Sequence, residues 1–122
     1  MSVSAPEIAE VLETLRKQDI RIPEQKSVSD YLLSHLDMLD PVRDVCMYIS
    51  NQCPSPDFEL TLKVYSDPEI DDHYLTLYLY SSTHYEDLLD ITDHLAEESY
   101  PLLKGKSGYL LITKGYGEPE TS

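Results

Sequence analysis

The chain is poor in several residue types that mark particular classes of protein. Among its 122 residues there are no tryptophans, one phenylalanine, four glycines and two cysteines. No apolar run is long enough for a membrane-spanning helix, and the start MSVS does not resemble a signal peptide. We therefore expect a soluble cytoplasmic protein with reduced thiols. On one helix Cys46 and Cys53 would lie about 10 Å apart, too far for a disulfide.

Positive charge is also scarce. Nine lysines and arginines stand against 23 aspartates and glutamates, which gives a formal net charge of −14. The window from Val64 to Leu103 contains no lysine or arginine, while ten acids fall between Asp67 and Glu98. Such a surface opposes direct binding to nucleic acid and to anionic membranes, because phosphates are bound by cations. It favours a basic protein partner and accelerates encounter with one.

Complete catalytic and cofactor motifs are absent from the sequence. The stretch from Lys104 to Gly108 contains G-K-S, the end of a phosphate-binding loop, but Tyr100 stands where the first glycine is needed. A strand pattern follows this stretch, whereas a phosphate-binding loop opens a helix. We therefore expect a turn at these residues and no cofactor.

Two segments give the clearest structural signal. Apolar and polar residues alternate from Phe58 to Tyr65 and from Tyr74 to Tyr80, a period typical of strands with one buried face. Burial of the aliphatic face, at ~1.5–3 kcal/mol per side chain, is the largest local contribution to stability. The other face would carry Tyr65, Tyr74, Tyr78 and Tyr80. Such tyrosines either only stabilise an open sheet face by cross-strand packing or form a docking surface.

The connection between these two strands is acidic. It contains Asp67, Glu69, Asp71 and Asp72, followed by His73. The spacing of the first three acids resembles a calcium loop, but the glycine of the sharp turn is missing and Tyr78 stands where a bidentate glutamate is needed. We predict a solvated hairpin loop without a metal. The alternative is a divalent-metal site, or general acid–base chemistry through His73.

Helical periodicity and capping residues predict four helices and a third strand. The helices are expected at residues 5–18, 28–39, 41–52 and 84–99, and the strand at 109–113. A very short edge strand could form at Ile20 and Ile22, although Pro23 limits it. We therefore predict an α+β fold of topology α-α-α-β-β-α-β. Its mostly antiparallel three-stranded sheet has the order 3-1-2, with helices packed on one face.

The predicted elements divide the chain into three parts. Residues 1–26 are expected to form a helical arm and linker, 27–115 the core domain and 116–122 a disordered tail. The apolar stripe of the first helix packs either on the core or on another chain.

Charge and patterning together predict a non-catalytic interaction module. We expect it to bind a basic protein, as an antitoxin, immunity or inhibitor subunit would, or to form a homodimer through its tyrosine-rich sheet face. The acids of helix 84–99 have no i,i+4 cation to offset them, so they too are candidates for contact. The predicted contact residues are Tyr65, Tyr74, Tyr78, Tyr80, Asp67, Glu69, Asp71, Asp72, Asp90 and Asp93. The alternatives are a small enzyme or metal-binding protein that uses loop 67–73, and a nucleic-acid mimic whose carboxylates imitate phosphates.

Overall fold

The structure, a computed structural model, describes residues 5–54, 57–67, 72–81 and 83–115. Within these residues the chain forms four α-helices, two 3₁₀ turns and a mixed four-stranded sheet, so the predicted α+β class is confirmed. The elements are α1 (Ala5–Lys17), β1 (Ile20–Arg21), α2 (Gln25–Ser34), a 3₁₀ turn (Leu36–Met38), α3 (Leu39–Gln52), β2 (Glu59–Asp67), β3 (Asp72–Tyr80), a second 3₁₀ turn (Tyr85–Asp87), α4 (Leu88–Leu103) and β4 (Leu110–Lys114). The tail predicted at 116–122 lies outside the described residues.

The strands lie in the order β1-β2-β3-β4. β2 and β3 form the predicted antiparallel hairpin, in which Tyr65 pairs with Tyr74 and Leu62 with Leu77. β1 pairs with β2 in parallel, and β4 pairs with β3 in parallel. The predicted sheet of order 3-1-2 is therefore wrong in its number of strands and in their order. The last strand runs in the predicted direction, but it pairs with β3 instead of β2, so its pairing is parallel instead of antiparallel.

Two features of the chain explain this difference. Pro23 cannot donate a backbone hydrogen bond to a neighbouring strand. It lies after Ile20 and Arg21, so these two residues still form a short strand. This strand occupies the outer edge of β2 at Leu60 and Thr61. α4 then carries the chain back along the sheet, so the strand that follows runs parallel to β3 and pairs with the free edge of β3. The topology is α-β-α-α-β-β-α-β.

The hydrophobic core lies on one side of the sheet. The β-strand residues that belong to it are Ile20, Leu60, Leu62, Leu75, Leu77, Leu79, Leu110 and Ile112. The strand registers place all of these side chains on the same face, and buried residues of all four helices complete the same cluster. The helices therefore cover the aliphatic face, as the alternating pattern predicts.

α1 belongs to this core as well. Ile8, Leu12 and Leu15 are at most 1% exposed, and the helix contacts α2 and α3. Of the two alternatives for the apolar stripe of α1, packing on the core is the one that the structure adopts. The division of the chain at residue 26 stays a prediction.

The helix boundaries differ from the prediction mainly in α2 and α4. α2 begins at Gln25 and ends at Ser34, where a 3₁₀ turn replaces the last predicted helical turn. α4 continues past residue 99 to Leu103, with Pro101 inside it. In the described part of the chain, every helix is too short or too polar to cross a bilayer.

Candidate functional site

The sheet face opposite the core carries the predicted tyrosines. Tyr65 of β2 shares this face with Tyr74, Tyr78 and Tyr80 of β3, because alternate strand residues point to the same side. We call it the tyrosine face and include Tyr109, which precedes β4 and contacts Tyr74. None of the five belongs to the hydrophobic core. The side chains of Tyr65 and Tyr109 are 42% and 53% exposed, and the other three are half-buried.

Ring contacts divide the tyrosine face into two groups. Near the hairpin end, Tyr65 stacks on Tyr74 with ring centroids 5.0 Å apart, and Tyr74 meets Tyr109 edge to face at 6.0 Å. Nearer the other end of β3, the centroids of Tyr78 and Tyr80 are 6.5 Å apart. These contacts restrict the rotation of the rings, so the aromatic surface is already ordered before any partner binds. Binding there would cost little additional side-chain entropy.

Two threonines form the floor of the tyrosine face. Thr61 and Thr76 are 0% and 1% exposed. Neither hydroxyl has a hydrogen-bond partner within the part of the chain that the structure describes. A buried hydroxyl without a partner costs about 1–3 kcal/mol. The floor of this face is therefore less favourable for stability than the aliphatic floor on the opposite side.

The charges on the tyrosine face differ from the overall composition. By strand register, Arg21, Glu59 and Lys63 all lie on this face. The Nη1 atom of Arg21 is 3.1 Å from Oε2 of Glu59, and both side chains are partly exposed. The face therefore carries both signs of charge, and the exposed acids of α4 lie on the other side of the sheet.

The predicted acidic residues of the hairpin are only partly described. Asp67 and Asp72 pair with each other at the ends of β2 and β3, beyond Tyr65 and Tyr74. Glu69 and Asp71 lie outside the described residues. In the strand register, Asp67 and Asp72 therefore lie two positions from Tyr65 and Tyr74, at the acidic end of the hairpin.

Asp90 and Asp93, the last two predicted contact residues, lie elsewhere. Both are exposed on α4, in the helical layer on the other side of the sheet. Asp90 and Asp87 line a groove of about 490 Å³ that also includes Phe58 and Leu95. The described members of the predicted set thus form two groups on opposite sides of the sheet. The sequence does not reveal this division, because spacing along the chain does not report which side of a sheet a helix covers.

The structure contains a notch, where β4 joins the sheet, that the sequence does not predict. Its volume is about 720 Å³, and its main side chains are Tyr31, His35, His73, Tyr74, Ser107 and Tyr109. These residues come from α2 and the residue that follows it, from β3 and from the segment before β4, so no local spacing connects them. The only signal in the sequence is the alternation from Tyr109 to Thr113, which puts Tyr109 on the strand face opposite Leu110 and Ile112.

Hydrogen bonds fix the walls of this notch. Ser107 donates its backbone N–H to Oδ2 of Asp37 at 2.8 Å and its hydroxyl to Oδ1 at 2.5 Å. These two bonds hold the pKa of Asp37 below its usual range. The backbone N–H of Tyr109 donates to the hydroxyl of Tyr31 at 3.0 Å. Gly108 allows this approach, because a Cβ there would lie 2.6 Å from the Tyr31 hydroxyl.

The arrangement suits binding better than nucleophilic chemistry. Ser107 Oγ is 3.1 Å from Nδ1 of His35, but its proton goes to the carboxylate of Asp37. In a hydrolytic triad the carboxylate orients the imidazole, and the imidazole takes the serine proton. Burial raises the pKa of Cys46 to about 12 and of Cys53 to about 11, so neither thiol is activated. Within the described residues, no three His, Cys, Asp or Glu side chains are grouped to hold a metal.

Comparisons of this chain with protein-family models, with curated proteins and with solved structures found no match in any of the three. Function is therefore inferred from the chemistry of the site.

Proposed function

We propose that this chain is a non-catalytic interaction module that docks a basic protein on its tyrosine face. One observation carries the proposal: the hydrophobic core occupies only one side of the sheet, and five tyrosines lie on the other. Tyrosine supplies rigid apolar area with a polar tip and is enriched at protein interfaces. The hydroxyls of Thr61 and Thr76 beneath the rings, which have no hydrogen-bond partner among the described residues, support the same conclusion.

The charge of the chain favours a basic partner over a second copy. Each chain carries a formal net charge of −14, so two copies repel each other while they approach. A basic protein is attracted by the same field, which raises its association rate. The exposed acids of α4 lie on the far side of the sheet, so we assign them to this long-range attraction and not to contact. An antitoxin, immunity protein or inhibitor would use its surface in this way.

The other functions considered from the sequence remain alternatives. A metal site or acid–base chemistry would need loop 67–73, of which residues 68–71 lie outside the described part of the chain. A nucleic-acid mimic would need carboxylates in two rows at phosphate-like separation. Nothing among the described contacts favours either over docking on the tyrosine face.

The test compares capture by the wild-type chain with capture by two variants. Immobilised full-length protein is incubated with extract of the source cells and eluted with rising salt. We expect a specific basic protein that elutes as ionic strength rises, because surface electrostatic attraction is screened by salt. Tyr65→Ala combined with Tyr78→Ala should lose this protein. Tyr100→Ala, which removes a more exposed tyrosine from α4, should retain it.

Two results would contradict the proposal. Equal capture of the same protein by the double variant would show that binding does not involve the tyrosine face. Sedimentation of the purified chain as a dimer that the double variant converts to a monomer would assign the face to a second copy.

A further inference from the structure

The notch beside β4 extends the tyrosine face around the edge of the sheet. Tyr74 and Tyr109 belong to both, and Tyr31 reaches the notch from α2 on the other side. The rings come from three different elements, and the bond from the Tyr109 backbone to Tyr31 holds two of these elements together. A group that enters the notch therefore meets aromatic surface from more than one direction.

Asp37 lies outside the lining itself but is bound to Ser107, one of the residues that line the notch. Ser107 donates to both carboxylate oxygens of Asp37, and these hydrogen bonds, together with the nearby charge of Lys106, lower the pKa of Asp37. None of the described residues that line the notch is a lysine or an arginine. Aromatic faces attract cations through the negative charge of their π systems. The aromatic lining therefore suits a cationic group.

We propose that the notch binds an arginine side chain of the basic partner, stacked on Tyr109 and Tyr74 and paired with Asp37. This inference rests on the proposed function and names the chemical group that this end of the docking surface recognises. Arginine fits better than lysine, because its planar guanidinium stacks on rings, is weakly hydrated and offers several donors to a carboxylate. Aromatic and arginine side chains are also the residues most enriched among the strongest contacts of protein interfaces.

The test uses two peptides that differ in charge alone. Acetyl-Gly-Arg-Gly-amide and its citrulline counterpart have nearly the same shape, but only arginine is charged. Each is titrated into ¹⁵N-labelled full-length protein while amide signals are followed by NMR. We expect the arginine peptide to shift the signals of His73, Tyr74 and residues 108–111, with a dissociation constant on the order of 1–10 mM. The citrulline peptide should bind roughly 2- to 30-fold more weakly.

Three variants distinguish binding of the peptide in the notch from its general electrostatic attraction to an acidic protein. Tyr109→Leu keeps the charge of the chain but removes one ring, and it should abolish the selective shifts. Tyr109→Phe should keep them, because the ring and not the hydroxyl attracts the cation. Tyr100→Leu is the matched control, since Tyr100 is 58% exposed on α4 and Tyr109 is 53% exposed. It should leave the titration unchanged.

Several outcomes would overturn the inference. These are equal binding of the two peptides, no shift at the notch, or shifts that persist in the Tyr109→Leu variant. The titration contains no partner protein, so its failure leaves docking on the tyrosine face untouched. Conversely, the capture experiment could recover no basic protein while the peptide titration succeeds. That result would support cation binding in the notch and contradict the proposed partner.

Discussion

The two faces of the β2–β3 hairpin are built from alternate residues of the same strands, yet they differ in almost every physical property. On the covered face Leu62, Leu75, Leu77 and Leu79 are fully buried against the helices. On the tyrosine face the rings contact one another and remain partly exposed, while the buried threonine hydroxyls beneath them find no hydrogen-bond partner in the described part of the chain. One face is optimised for burial, and the other is not.

The contrast indicates how stability and binding are divided in this chain. Aliphatic burial supplies a free energy of ~1.5–3 kcal/mol per side chain, and the covered face already provides it over four strands. The opposite face can then keep aromatic and polar groups whose contribution to folding is smaller. Binding surfaces commonly combine these residue types. If this division is correct, substitutions on the two faces should have clearly different effects.

The largest expected effect separates the faces directly. Leu77→Ala leaves a cavity at a side chain that is 0% exposed, so it should lower the free energy of unfolding by about 2–5 kcal/mol. Tyr65→Ala removes a ring that is 42% exposed and stacked only on Tyr74 among the recorded ring contacts, and it should cost about 0.5–1.5 kcal/mol. Urea unfolding followed by far-ultraviolet circular dichroism measures both. Equal losses would remove the distinction between the faces.

The alternating pattern in the sequence was sufficient to predict this distinction, because side-chain direction in a strand depends only on position along it. It assigned Leu75, Leu77 and Leu79 to the core and Tyr74 and Tyr78 to the opposite face. The helices were also predictable from their apolar stripes, since that periodicity is local. The exact ends of α2 and α4 were not, because neighbouring elements decide how far each helix continues.

The order of the strands and the extent of the site could not be obtained in the same way. β1 consists of two residues that pair with β2 about 40 positions later, and such a short segment has little periodicity of its own. Whether β4 joins β2 or β3 depends on which edge remains free. The notch likewise joins Tyr31 to Tyr109, a contact between distant parts of the chain that appears only when the fold is known.

A second prediction tests how tightly the tyrosine face is packed where it meets the end of β4. A Cβ at Gly115 would lie 2.3 Å from the ring of Tyr80, so Gly115→Ala should cost about 1–3 kcal/mol through forced displacement of the ring. In the Tyr80→Ala background the same substitution should cost much less. Unfolding free energies of the two single variants and the double variant give the coupling between the sites.

A matched control is available for that cycle. Gly105 has a φ of +79°, and nothing lies within 4 Å of the Cβ it would gain. Gly105→Ala should therefore cost about 1 kcal/mol through its backbone conformation alone, with no coupling to Tyr80. An additive cycle for Gly115 and Tyr80 would mean that the ring moves aside freely, and that the face is not preformed at this end.

The smallest expected effect has the opposite sign. Thr76→Val removes a buried hydroxyl that has no partner among the described residues, so it should raise the free energy of unfolding by about 1 kcal/mol. Thr92 is equally buried, but its Oγ1 donates to the carbonyl of Leu89 at 2.8 Å. Thr92→Val should therefore lower the free energy by about 0.5–1.5 kcal/mol. Equal signs for the two variants would show that the Thr76 hydroxyl is satisfied in solution. A variant that is more stable and yet captures the basic partner less well would show directly that this floor is retained for binding at the expense of stability.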